Sequence, residues 1–281
     1  MTRKLIVTGA TGYLGRAFVS AAVQQGFDVL ALTRSKANDL PCKFMMPSDW
    51  SNETLLSKAM EGRDALIHLA GLAHGKPGDM TEINVELTET LARAAVQAKL
   101  PHMLFVSSAA VFGGPGTFSP EDAPSPTNDY GQSKTLAEYS LCDILAGTTT
   151  KLTIVRPPMI VGPEAPGHAA TLRRFFLKNQ PLPFGALTNR RSYVALDALV
   201  QALLDLVKAT PARSTLHHIA AEPVSATRLI RLIAASDGLA PNLWNVPPFL
   251  LKPLMVIPAL QAKLAPLTQD HVLVAGQTDL D

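Results

Sequence analysis

Residues 9–15 read GATGYLG and follow the short apolar run KLIV at 4–7. How this stretch is read decides the fold. Gly9, Gly12 and Gly15 recur every third residue between a strand-like run and a helix-like pattern over 13–25. Such a turn has two uses. It is either a tight strand-to-helix connection or a cradle for phosphate groups, in which bare backbone lets an anion approach the free N–H groups of the helix. The spacing is G-x-x-G-x-x-G rather than the stricter G-x-G-x-x-G, so the rest of the chain has to choose between them.

The pattern downstream repeats the first unit. FDVLALT (27–33), ALIHLAG (65–71), MLFVSS (103–108) and KLTIVR (151–156) are runs of strand length. Helical periodicity separates them at TETLARAAVQAK (88–99) and over 130–146. Strands apolar on both faces, alternating with helices, predict a doubly wound parallel sheet of the α/β class. After about residue 156 prolines cluster and strand signals thin out. We therefore expect a dinucleotide-binding Rossmann domain over 1–158, rejoined by 194–220. A smaller substrate domain is expected from 159–193 and 221–281. The apolar stretch FLLKPLMVIPALQAKL (249–264) is broken by Lys252, Pro253 and Pro258, which predicts burial in a domain rather than a membrane span.

Composition narrows the function classes. In 281 residues, 47% are hydrophobic and 17% charged, which is globular rather than disordered, and a formal charge of +2 offers no nucleic-acid surface. Cys42 and Cys142 are far apart and form no metal-ligand spacing, and no metal is expected. Lys4 leads at once into strand and glycine turn instead of a long apolar core. Together these predict a reduced, cytoplasmic setting without a secretion signal.

Ligands of such sheets bind beyond the carboxyl ends of the strands, so the residues there carry the chemistry. The second strand ends in Thr33 and Arg34 with no acid to receive ribose hydroxyls, which favours NADP over NAD through a pairing of Arg34 with the 2′-phosphate. Asp49, after an expected third strand, is a candidate acceptor for the adenine amino group. Tyr130 and Lys134 are four apart and share one helix face. An ammonium beside the phenol is expected to lower its ordinary value near 10 and make it a usable acid and base. Ser108, at the end of the fourth strand, is placed to hold the same substrate oxygen. His68 reads as a packed core residue and HGKPGD (74–79) as a mobile loop, so neither His68 nor His74 receives a role.

Taken in order, TGATGYLG, HLAG, SSAAVFG, YGQSK, RPPMIVGP and NRRSYVALD resemble the extended short-chain dehydrogenase/reductase family, which includes UDP-glucose 4-epimerase. The resemblance implies a Rossmann domain with a small C-terminal substrate domain. It makes Ser108, Tyr130 and Lys134 catalytic, with Ser108 and Tyr130 also touching substrate. Along the cofactor it lays Gly9, Thr11, Gly12, Tyr13, Leu14 and Gly15, then Leu69, Ala70 and Gly71, then Pro157, Tyr130 and Lys134. It further implies Arg191 and His168 as ligands of a nucleotide-sugar diphosphate, and a homodimer formed through a four-helix bundle. RPPMIVGPEAPGH (156–168) and PLPFGALTNRRSYVALDALV (181–200) are most similar to UDP-hexosamine 4-epimerases and 4-keto reductases of polysaccharide synthesis. Met159 stands where epimerases usually have Asn, Leu87 where the family usually has Gly, and GQTDLD ends the chain before the usual C-terminal helices. Two other readings are a reductase of a small carbonyl compound and a non-catalytic NADP-binding sensor. Relatives of the latter kind typically lose the Tyr or the Lys.

Overall fold

Alternate residues of the first strand face opposite sides, and both sides are apolar. That is the reason the sheet acquires helices on both faces. The computed structural model describes residues 2–251 and 268–280. In it β1 (Lys4–Thr8), β2 (Asp28–Leu32), β3 (Lys43–Met45), β4 (Ala65–His68), β5 (His102–Val106), β7 (Lys151–Arg156), β11 (Thr215–His218) and β14 (Gly276–Asp279) form one sheet. The order is β14-β11-β7-β5-β4-β1-β2-β3, parallel except for β14, which runs antiparallel to β11. The register sets Leu5 of β1 beside Val29 and Ala65.

Leu5 and Val7 pack with Phe18, Val19 and Ala22 of α1 (Tyr13–Gln24) and with Leu199, Leu203 and Val207 of α7 (Leu196–Val207). Ile6 faces the other way. It joins Leu56 and Met60 of α2 (Glu53–Met60), Leu91 of α4 (Leu87–Gln97) and Leu141 of α5 (Asp129–Leu145). Each large side chain fully buried in these layers stabilises the fold by about 1.5–3 kcal/mol. The helices start where the sequence supplies caps. Asn52 Oδ1 accepts from the Leu55 amide at 3.0 Å, and Asn128 Oδ1 from Gly131 at 2.8 Å. α1 starts differently, on Gly12, which has no side chain to cap it.

A smaller unit packs beside the carboxyl ends of β7 and β11. Its core joins Leu172 and Phe176 of α6 (His168–Leu177) to Leu229, Ile230 and Ile233 of α8 (Ala226–Ser236). β8 (Met159–Val161) pairs in parallel with β10 (Tyr193–Ala195). A four-stranded sheet follows the order β12 (Val224–Ser225), β9 (Arg190–Arg191), β13 (His271–Leu273), β6 (Gly116–Phe118).

Three expectations need correction. Residues 221–281 do not all lie in the smaller unit, because β14 returns to the edge of the large sheet. A polar edge strand (GQTD) carries no apolar run by which to read it. HGKPGD is not wholly loop, because Pro77 sets its fixed φ at the start of α3 (Pro77–Thr81), which leads into a π-helical turn over Glu82–Glu86. Of the apolar stretch 249–264, Phe249 and Leu250 are exposed on the short α9 (Pro248–Leu251), and residues 252–264 lie outside the described residues. Among the described residues no helix is long and apolar enough to cross a membrane.

Candidate active site

The three glycines do different work. Gly9 has φ +73°, and a Cβ there would lie 2.4 Å from the Ala70 nitrogen, so the chain can turn against the end of β4 only with a bare Cα. At Gly15 a Cβ would lie 2.0 Å from the Gly9 carbonyl oxygen, so this glycine lets α1 lie against the turn. Gly12 donates its N–H to that same oxygen at 3.0 Å and leaves the α1 N-terminus uncapped. Beside this end opens a cavity of about 470 Å³. Free helix N–H groups at its wall provide what a pyrophosphate needs.

Thr11, Arg34, Leu69, Ala70 and Gly71 line the cavity with Gly9 and Gly12, and Trp50, Ser51, Ile83 and Leu87 close it. Arg34 is exposed and has no ion-pair partner among the described residues. The remaining sequence candidates lie around it. Gly15 is beneath the turn, and Leu14 packs toward the core. Tyr13 turns its ring into the smaller unit, where its hydroxyl stands against Gly162. Burial, then Asp237 and Asp197, hold this phenol above its ordinary value. Asp49 is outside the cavity lining, its carboxylate accepting from the Ser51 amide at 2.8 Å and the Ser51 hydroxyl at 2.7 Å. Pro157 offers its carbonyl to the Ala109 amide at 2.9 Å.

Lys134 reaches the cavity's edge from α5. Its side chain is buried, Nζ donates to the Val106 carbonyl at 3.0 Å, and it lies 4.5 Å from the Phe105 ring centre. A Cβ on Gly71 would stand 3.1 Å from this nitrogen, so the chain after β4 passes close to the ammonium. Burial lowers Lys134 to about 8, with Glu138 opposing the fall. Tyr130 lies one turn earlier. Here the expected direction is reversed: burial raises the phenol, and the facing Ser108 hydroxyl offsets part of that rise. Desolvation of the phenolate outweighs its stabilisation, while the ammonium donates to a backbone carbonyl. Ser108 Oγ also accepts from the Ala110 amide at 3.1 Å, which fixes the short 3₁₀ turn Ala109–Val111.

Two supports were not assigned from sequence. Asn84 is fully buried. Its side chain accepts from the Leu72 amide at 2.7 Å and donates to the Leu72 carbonyl and to Ser133 Oγ, both at 2.9 Å. It ties the loop after β4 to the residue before Lys134. His68 is buried as expected. Thr88 donates its hydroxyl to the Asn84 carbonyl, so His68 Nε2–H must donate to Thr88 Oγ1 at 2.8 Å. Nδ1 is then left to accept from Thr8 at 2.6 Å. Burial, with Lys134 next, lowers this imidazole to about 3 and keeps it neutral.

On the facing side, His168 opens α6 after Gly167 (φ +69°). Burial, then His74 and Arg191, lower its pKa, which places both side chains near this imidazole. His74 was read from sequence as part of a loop; its Nε2 would stand 3.7 Å from a Cβ on Gly167. No local spacing signals that approach. Arg191 donates to the Gln269 carbonyl at 3.3 Å and pairs in the sheet with His271, whose Nε2 lies 3.2 Å from the Phe112 carbonyl. Arg191 thereby borders the segment that follows Ser108. Arg190, the neighbour of Arg191 in β9, is exposed.

A glycine-lined cavity at the strand ends of a doubly wound sheet, with Lys134 beside the lining residue Gly71 and Tyr130 one turn away, defines an α/β protein of the Rossmann-like class. The sequence pattern of the NAD dependent epimerase/dehydratase family matches residues 5–217, and the chain belongs to that family. It is similar to the UDP-glucose 4-epimerase of Vibrio cholerae, 28% identical over 88% of this chain and 79% of that one. It is also similar to a 2-alkyl-3-oxoalkanoate reductase of Shewanella oneidensis, at 28% over 87% and 68%. A third relative is the N-acetyl-alpha-D-glucosaminyl-diphospho-ditrans,octacis-undecaprenol 4-epimerase of Escherichia coli O157:H7, at 26% over 72% of this chain and 62% of that one. Among solved structures, MoeE5 in complex with UDP-glucose and NAD superposes with a TM-score of 0.73 at 25% identity, covering 85% and 84% of the two chains. A dTDP-4-dehydrorhamnose reductase from Bacillus anthracis in complex with NADP shares the fold, with a TM-score of 0.69 at 18% identity over 86% and 83%.

Proposed function

We propose that the chain is an NAD(P)-dependent enzyme acting at the 4-position of a nucleotide sugar, by epimerisation or by reduction of a ketone. The substrate class is a UDP-hexosamine or its 4-keto-6-deoxy derivative. The observation that carries this reading is the meeting of two groups of residues at one set of strand ends. Ser108, Tyr130 and Lys134 form one, and Arg191, with His168 near it, borders the segment after Ser108 through His271 and Phe112.

The glycine turn fits a dinucleotide, because bare Cα atoms at Gly9 and Gly15 let strand end, turn and helix close on one another beside the uncapped helix start, where the cavity opens. Arg34, without an ion-pair partner among the described residues and just past the end of β2, favours NADP over NAD. When bound, the nicotinamide supplies or accepts the hydride. Tyr130 then passes a proton to, or takes it from, the oxygen on the sugar carbon, and Ser108 holds that oxygen in place. Lys134 keeps a positive charge beside both the phenol and the cofactor's ribose. Arg191 presents a forked guanidinium to the diphosphate, with His168 beside it. The names of the relatives support a nucleotide sugar. Met159, packed against the apolar core of the smaller unit, and the Shewanella reductase support a small carbonyl substrate instead.

Thermal unfolding of the NADPH-loaded protein separates the two. UDP-N-acetylhexosamines should raise the melting temperature and be turned over, and Arg191→Ala should raise KM far more than it changes NADPH affinity. If UDP and its sugars leave the melting temperature unmoved, the small-carbonyl reading replaces this one.

A further inference from the structure

Helix α5 sets Tyr130, Lys134 and Glu138 one turn apart along one face, and the last two are buried. Arg156, the buried last residue of β7, meets Glu138 as a fork. Nε lies 3.0 Å from Oε1 and 3.2 Å from Oε2, and Nη2 lies 2.6 Å from Oε2. Both carboxylate oxygens are thus held by the arginine, while Lys134 donates to a neutral carbonyl. The Arg156 guanidinium carbon stands 5.1 Å from the ring centre of Phe112, four residues after Ser108, and Nη1 has no partner among the described residues.

A buried ion pair is an expensive way to join a helix to a strand. Apolar side chains of similar size generally do it as well or better. Its position suggests another use. Tyr130 and Glu138 share the α5 face of Lys134, His68 on β4 is neutral, and Arg156 on β7 meets Glu138; among the described residues Glu138 is the carboxylate that acts on Lys134. We propose that Glu138 and Arg156 form a positioning couple that sets the charge state of Lys134. Glu138 supplies the negative charge that keeps the ammonium protonated in its dry site. Arg156 fixes that carboxylate and attenuates it.

What Lys134 is used for rests on the function proposed above. Its charge state does not, and it is measured without substrate. Carbon-13 NMR of the lysine Cε in the full-length chain, assigned by its loss in Lys134→Arg, gives the midpoint directly. Glu138→Gln should lower that midpoint from about 8 by about one pH unit. Arg156→Met should raise it, because the carboxylate then acts unopposed. A purely structural joint predicts a loss of stability in both variants, with no opposition of sign. Arg156→Lys keeps the charge and should leave the midpoint near that of the unaltered protein; it also serves if Arg156→Met does not fold. Loss of NADPH binding with rising pH should follow the same order. The proposal is overturned if Glu138→Gln leaves the midpoint in place or raises it. Shifts of the same sign in Glu138→Gln and Arg156→Met, or a shift in Arg156→Lys as large as in Glu138→Gln, overturn it as well. Midpoints that move as stated while no UDP compound binds would count against the substrate reading alone.

Discussion

Adding one methyl group at Gly15 tests whether the glycine turn is a cradle or merely a bend. The added Cβ of Gly15→Ala would stand 2.0 Å from the Gly9 carbonyl oxygen and 2.8 Å from the Ala10 Cα, both backbone atoms that cannot rotate away. To reach ordinary contact, α1 must retreat from the turn by about an ångström, an overpacking that costs about 1–3 kcal/mol. For a chain of this size that lowers Tm by roughly 2–12 °C. The same retreat carries the uncapped N-terminus of α1 away from the Gly9 turn. NADPH affinity, read by fluorescence titration, should therefore fall by more than about tenfold, or about 1.4 kcal/mol. Gly147→Ala separates the two effects. Gly147 has φ +69° and nothing within 4 Å of a Cβ, so the change costs about 1–2 kcal/mol of backbone strain and leaves NADPH affinity unchanged. A Gly15→Ala protein with unaltered Tm and unaltered NADPH affinity would refute the reasoning.

Tyr130→Phe should cost about 10²–10⁴ in turnover while NADPH still binds, and full activity on an identified substrate would sink the acid–base role. Arg34→Asp should reverse the preference for NADPH over NADH, which titration of both cofactors checks; equal affinities in the unaltered protein remove the premise. His68 provides a pH test. Its folded value of about 3 lies below the ordinary 6.5, so an unfolded chain takes up a proton that the folded one refuses. The stability this contributes is complete above pH 6.5 and is lost as pH falls from there toward 3. His68→Gln offers one donor and one acceptor without titrating, so urea unfolding between pH 7 and 4 should show a shallower loss. An unchanged slope would exclude His68 as a source of acid sensitivity, leaving His102 and His218, each lowered to about 4.

The sheet was legible in the sequence wherever burial is two-sided, because KLIV, ALIH and MLFV can satisfy neither face in water. The glycine turn was legible because a missing Cβ is itself a sequence feature. Tyr130 and Lys134 were legible because helical spacing alone puts them on one face. What the sequence did not show depends on where the chain returns. β14 pairs through its backbone, and its side chains need no apolar pattern to do so. His74 comes to His168 across 94 positions of chain, and Arg156 comes to Glu138 across a helix end and a strand. Asn84 becomes a clamp only once β4 and α5 stand on either side of it. The direction of the Tyr130 shift was also hidden. Sequence spacing supplies the neighbouring ammonium, but desolvation is a property of everything packed around the phenol. Local chemistry follows from residue order, whereas burial and charge balance are set by the tertiary structure, since both sum over atoms that the chain brings together only when folded.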